Sequence, residues 1–295
     1  MHFRFSLVRS AIPGAGVLGL LALAACGGGG ASAPASTVSS MNVAALKYGA
    51  TALVTINGTG LDSSGFAVSS SACSNMTRLT TAPTASTATT AFYNCTVSGA
   101  TSGTVIATSN GATAGSQTFS VPEPQVTLNV TNTQGVNGQI VLALSADKTP
   151  LTVSNFLAYV NSGFYAGTIF HRVVQNFVVQ GGGYTATVNG QLPSSPKATN
   201  AGIPVETTGG SNLQWTIAMA NTGLPDSTTS QFYINLQDNT QLDGSYSVFG
   251  TVTSGQTVVQ AMTAAPATCV NNPLDGTKDC LPQPDITITQ ATQTQ

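Results

Sequence analysis

The stretch FHRVVQNFVVQGGG at 170–183 constrains this chain most. Apolar residues alternate there with His171, Arg172, Gln175 and Gln180 before the run stops at three glycines, which is the period of a strand that shows polar groups to one side. Arg172 is one of two arginines that follow the N-terminal leader, and it stands among Phe170, Val173, Val174, Phe177, Val178 and Val179. A guanidinium is permanently charged, so keeping one against an apolar wall costs free energy unless it has a partner or a task. Two readings are open at this point: a core strand whose arginine reaches solvent or a backbone carbonyl, and a donor held where a reaction needs one.

Two later blocks share this pattern of an apolar strand broken by polar residues at a loop. They are TIAMANTGLPDSTTSQFYIN at 216–235 and QLDGSYSVFGTV at 241–252. The three segments together resemble the cyclophilin family of peptidyl-prolyl isomerases, whose members carry FHRxxxxFxxQGG, then MANxG with SQFF/Y, then LDGxxxVFG. The resemblance runs from about residue 125 to about residue 265, in the right order. It implies a closed eight-stranded antiparallel β-barrel capped by two helices, acting on proline-containing polypeptides without a cofactor or a metal.

The chemistry implied is demanding in one respect only. Rotation about an X-Pro bond breaks amide resonance over a barrier of about 18–20 kcal/mol, and the uncatalysed step takes about 10–100 s. At the twisted transition state the proline nitrogen regains a lone pair and accepts a hydrogen bond, so a catalyst needs one strong donor and an apolar slot for the ring. The resemblance makes Arg172 that donor, with Gln180 orienting it and Phe177 beside it. Val178, Tyr233, Leu242 and Tyr246 are then expected to line the proline pocket with Phe177, and Ala220, Asn221 and Gln231 to hold the peptide backbone. The chain departs from the family pattern at Val178 (commonly Met), Tyr233 (Phe), Tyr246 (His) and Gln241, where many eukaryotic members have the Trp that contacts cyclosporin. A binding module that uses the same groove without turnover is the alternative function.

Other chemistries find little support. His171 invites a Ser-His hydrolase reading, but no Gly-x-Ser-x-Gly elbow is present, and a hydrogen-bonded structural role fits it better. The QGGG run lacks the Lys and Ser/Thr of a phosphate loop, and its glycines are expected to permit a tight turn beside the groove. Charged residues make up only 6% of the chain, where about 25% is usual. No basic stripe exists for nucleic acid.

The leader places the chain outside the cytosol. His2, Arg4 and Arg9 precede an apolar, small-residue run from Ala11 to Ala25, which is the pattern of an export signal over 1–25 and too short for a spanning helix. LAAC at 23–26 resembles the lipobox of bacterial lipoproteins, with Cys26 left as a lipidated N-terminus; an ordinary secretory signal with an incidental Cys is the other reading. The expected address is the cell envelope, anchored by lipid, at the outer membrane and facing the periplasm. In that oxidising setting Cys73 pairs with Cys95 and Cys269 with Cys280, and neither pair has zinc-ligand spacing.

Residues 26–40, rich in Gly, Ala and Ser, read as a flexible tether. Over 41–121 the segments at 52–61, 90–99, 103–111 and 116–121 read as short strands between Gly or Asn turns, suggesting a small immunoglobulin-like β-sandwich whose partner the sequence does not name. The prolines of VPEPQ at 121–125 predict a stiff, extended link to the isomerase-like domain over 125–295. Within that domain, Val153, Phe156, Leu157 and Val160 recur at helical spacing before Asn161 and Gly163. Thr257–Ala264 fits the second helix.

Overall fold

Several strands in this protein form where every second residue is apolar. Val54 and Ile56, then Tyr93, Cys95 and Val97, and later Val126, Leu128 and Val130 are buried while the residues between them are not. The structure, a computed structural model, describes residues 34–44, 46–99, 101–271 and 278–295. The leader, the Cys26 lipidation position and residues 26–33 of the expected tether lie outside the described residues.

Seven strands make the N-terminal unit: β1 (Thr37–Ala44), β2 (Thr51–Thr59), β3 (Phe66–Ser70), β4 (Cys73–Arg78), β5 (Thr90–Val97), β6 (Thr101–Ser109) and β7 (Ala112–Val121). One sheet has the order β1-β2-β5-β4 and the other β3-β6-β7. That is the strand order of an immunoglobulin constant-type sandwich. Val54, Ile56 and Tyr93 from the first sheet and Val105 and Ala107 from the second belong to one buried cluster. The disulfide Cys73–Cys95 joins the neighbouring strands β4 and β5 within one sheet.

Two expectations change here. β1 begins at Thr37, inside the stretch that composition assigns to the tether, because Val38, Met41 and Val43 pack against the core while the rest of this edge strand stays exposed. The VPEPQ segment is scarcely a spacer. Val121 still belongs to β7, and the Pro124 carbonyl already accepts the Leu144 N–H at 2.9 Å.

The second unit comprises β8 (Gln125–Thr131), β9 (Asn137–Leu144), α1 (Pro150–Asn161), β10 (Thr168–Val174), β11 (Val178–Thr185), β12 (Thr216–Met219), β13 (Phe232–Asn235), β14 (Val248–Ser254), α2 (Gln256–Ala264), β15 (Ala267–Asn271), β16 (Lys278–Pro282) and β17 (Thr287–Gln293). Eight strands run β11-β13-β12-β14-β9-β8-β17-β10, and β10 pairs again with β11, closing an antiparallel barrel with no free edge. The hairpin β15–β16 extends from β10 outside this ring, with Val173 opposite Cys280. Its Cys269 and Cys280 face each other across the hairpin and form the second disulfide.

Helix α1 buries Val153, Phe156, Leu157 and Val160, the face its spacing predicts. Its first turn has no local side-chain cap. Instead the Glu206 carboxylate accepts the Leu151 and Thr152 N–H groups at 3.2 and 2.7 Å, satisfying orphan donors at the positive end of the helix dipole.

Period-two alternation then separates the inside of the barrel from its outside. Val179, Ile217, Met219, Phe232, Ile234 and Phe249 belong to the main core. The residues between them, Val178, Ala218, Tyr233 and Val248, form a second buried cluster. Phe177, Ala220, Leu242 and Tyr246 pack against that outer cluster. The strands therefore carry an apolar surface on their outer face, and this surface is where the candidate site lies.

Candidate active site

Of the seven residues of β10 all but Arg172 are buried. The pairing with β11 slips by one residue between Phe170 and Arg172, after which Arg172 stands opposite Gln180. Such a bulge re-aims side chains. It leaves His171 buried against Tyr184, at 4.9 Å between ring centres, and Arg172 part-exposed, its Cζ 5.7 Å from the Phe177 ring centre in cation–π range. Gln180 donates from Nε2 to Gln231 Oε1 at 3.0 Å, and Gln180 is also the cross-strand neighbour of Tyr233.

These side chains surround a pocket of about 290 Å³ lined by Arg172, Phe177, Val178, Gln180, Ala220, Asn221, Tyr233, Leu242 and Tyr246. Gln231, the remaining residue of the sequence reading, lines an adjoining pocket of about 110 Å³ together with Gln180, Ala220 and Asn221. All ten positions expected for catalysis and substrate binding thus converge. One wall is the edge-to-face pair Tyr233–Tyr246, with centres 5.6 Å apart. Burial, together with nearby Tyr246 and Asp243, pushes the Tyr233 hydroxyl far above the usual phenol range, so it is a neutral donor, giving its proton to Asn212 Oδ1 at 2.8 Å.

The part that sequence reasoning missed lies behind the pocket. Asn212, Asn235 and Asn239 are fully buried. Asn235 donates to Asn212 Oδ1 and to Thr216 Oγ1, and Asn239 donates to Asn235 Oδ1 at 2.8 Å and to the Phe177 carbonyl at 2.9 Å. The Leu236 N–H also donates to that carbonyl, so the loop that carries Phe177 is held by two donors. Asn212 in turn donates through its backbone and side-chain N–H groups to Asp243 Oδ1, which holds the Asp243 carboxyl below its ordinary range. Asn221 is fixed by donation to the Ser245 carbonyl at 2.9 Å.

The glycines of QGGG correct another expectation. They lie within β11 and make no turn. A Cβ on Gly182, where φ is +80°, would come within 2.8 Å of the Tyr165 ring and 2.9 Å of the Phe232 ring, and one on Gly183 would meet the Gln231 side chain at 2.6 Å. The residues are small because core rings and a groove residue press against the strand.

Against this geometry, the family described as "Cyclophilin type peptidyl-prolyl cis-trans isomerase/CLD" matches residues 127–293, more than half of the chain. The chain belongs to this family. Among curated relatives it is similar to "Peptidyl-prolyl cis-trans isomerase A" of Dickeya dadantii, 49% identical over 127 residues, which cover 41% of this chain and 64% of that protein. It is also similar to "Peptidyl-prolyl cis-trans isomerase cyp18" of Streptomyces antibioticus, 47% identical over 134 residues covering 42% of this chain and 77% of that one. A third relative, "Peptidyl-prolyl cis-trans isomerase B" of Escherichia coli, is 42% identical over 132 residues, with 42% and 77% covered. The match falls on the barrel, and the seven-stranded sandwich precedes it.

Proposed function

We propose that this cyclophilin accelerates rotation about X-Pro bonds in exported polypeptides while its N-terminal lipid on Cys26 holds it to the cell envelope. The observation that carries the enzymatic reading is the Arg172 guanidinium at the wall of a small pocket with an apolar side of Phe177, Val178 and Leu242, 5.7 Å from the Phe177 ring and opposite Gln180. The pocket takes the proline ring. Arg172 then donates to the proline nitrogen once it pyramidalises, an interaction made chiefly in the transition state. Water excluded by Phe177, Val178 and Tyr233 strengthens that bond. Gln180, bonded to Gln231, positions the fork and meets the substrate carbonyl, and Asn221 and Ala220 hold the backbone extended.

A protease-coupled isomerisation assay on an Ala-Pro peptide tests the enzymatic reading: turnover is expected, and binding without turnover would favour the peptide-binding alternative. The address rests on the LAAC sequence at 23–26 and is tested separately. Cys26→Ser is expected to move the protein from the detergent phase to the aqueous phase on partitioning. Unchanged partitioning removes the lipid anchor from the proposal.

A further inference from the structure

A second concavity, of about 880 Å³, adjoins the proline pocket and shares Phe177 and Leu242 with it. Val174 at the end of β10 lines it, and two further walls come from elements that do not line the small pocket: Met262 at the end of α2, and Ala267 with the Cys269–Cys280 disulfide on the β15–β16 hairpin. Cys280 pairs with Val173, the residue after Arg172, so this wall is registered directly to the strand that carries the guanidinium.

The shape and chemistry of this groove restrict what enters it. None of its lining residues carries a charge, and its apolar side chains are relieved by amides, among them those of Gln237 and Gln241. The flexible amide of Gln241 lines the groove beside Leu242 without filling it. The volume lies in the range of sites that accept a large apolar group together with some polar partners. A polypeptide with its proline in the small pocket continues in two directions. One flank passes over Gln180, Asn221 and Gln231, whose adjoining pocket is only about 110 Å³. The other leaves between Phe177 and Leu242 and enters the groove.

We propose that the groove is a second substrate subsite, taking a bulky apolar side chain of an unfolded polypeptide within a few residues of the proline, on the flank opposite the one held by Asn221 and Gln231. This deepens the isomerase reading and rests on it. Unfolded segments are the substrates with such side chains exposed, so the subsite directs the enzyme toward prolines in sequences destined for a core. The disulfide keeps the far wall in place.

The test compares kcat/KM on four proline peptides that carry Ala or Leu on either flank. Wild-type protein is expected to prefer Leu over Ala by about ten-fold on one flank only, as for partial burial of a leucine in a half-open groove. Ala267→Asp alters an exposed residue outside the proline pocket; it should abolish that preference and leave kcat/KM on the all-Ala peptide unchanged. Ala267→Lys should do the same, separating obstruction of the groove from the sign of the charge. The Cys269→Ser/Cys280→Ser double variant should weaken the preference.

Equal turnover of Leu and Ala peptides by wild type, or a preference that survives both Ala267 variants, overturns the subsite while leaving the isomerase reading intact. Absence of turnover on every peptide overturns both. Sedimentation that finds wild-type dimers dissociated by Ala267→Asp makes the groove an interface between copies and likewise overturns the subsite.

Discussion

Arg172 and His171 are neighbours with opposite fates, and the bulge in β10 divides them. Arg172 reaches the pocket, so Arg172→Ala is expected to lower kcat/KM by about 10²–10³, the usual cost of one preorganised transition-state donor, with peptide affinity changing less. Lys should rescue only part, lacking the planar fork that Gln180 can hold. Circular dichroism confirms equal folding, and a folded Arg172→Ala protein with near-wild-type turnover refutes the mechanism. His171 faces the other way, buried beside Tyr184. Burial, assisted by the Arg172 charge and opposed in part by hydrogen bonds with the Ile169 backbone and Gln231, lowers its pKa from 6.5 to about 4. A depressed pKa means that the unfolded chain takes up the proton first as pH falls. The stability from the neutral imidazole is therefore fully present above about pH 6.5 and lost progressively as pH falls through 4. The shift corresponds to about 3 kcal/mol. Urea unfolding at pH 7 and pH 4 should show wild type losing about that much more than His171→Gln. The depressed Asp243 carboxyl acts in the same direction but is common to both proteins, so equal losses would refute the His171 assignment.

At the scale of elements, β11 shows how packing overrides local reading. Gly182→Ala adds a methyl where φ is +80° and two fully buried rings stand within 3 Å of its position, whereas Gly167→Ala meets the same backbone problem, φ +78°, with nothing within 4 Å. The first should cost about 2–4 kcal/mol and the second about 1–2 kcal/mol, and their difference in urea unfolding isolates the overpacking. Equal costs would mean that the rings yield freely. The same contrast explains what could be read in advance. α1, β2 and β5 each bury one face, and their apolar periods announced them. β1 and β4 lie at sheet edges with few buried residues, so TVSSMNVA and CSNMTR carry little alternation to read. The ten pocket residues were legible because they cluster in three motifs. Asn212, Asn235 and Asn239 were not, since their amides look like loop chemistry until partners such as Thr216, Asp243 and the Phe177 carbonyl arrive from other elements. Glu206 capping α1 from 54 residues away is illegible for the same reason.

Across the whole molecule, the sandwich and the barrel share one buried apolar cluster, and a polar hub seals the junction. Gln293, 4% exposed at the end of β17, donates from Nε2 to the Tyr48 carbonyl at 2.9 Å and accepts from Asn161 Nδ2 at 3.0 Å, while Lys47 donates to its backbone carbonyl. Tyr48 is itself buried, its hydroxyl 3.4 Å from Ser154 Oγ on α1. The loop between β1 and β2 is thereby held against the helix that closes the barrel. With only a short segment between β7 and β8, this contact makes the sandwich a fixed extension of the catalytic unit. The consequence is thermodynamic. Two domains that share buried surface melt together, and removing the hub should let them melt apart. Gln293→Ala leaves the Tyr48 carbonyl and the Asn161 amide without their partner, at a cost of about 1–3 kcal/mol. Calorimetry should show one transition for wild type and a broadened or divided transition for the variant, with isomerase activity lost only in the component that reports the barrel. Two separate transitions in the wild-type protein would refute the coupling. A variant that shifts to lower temperature while staying a single sharp transition would show that the shared apolar cluster, of which Tyr48 is a member, carries the coupling without the hub.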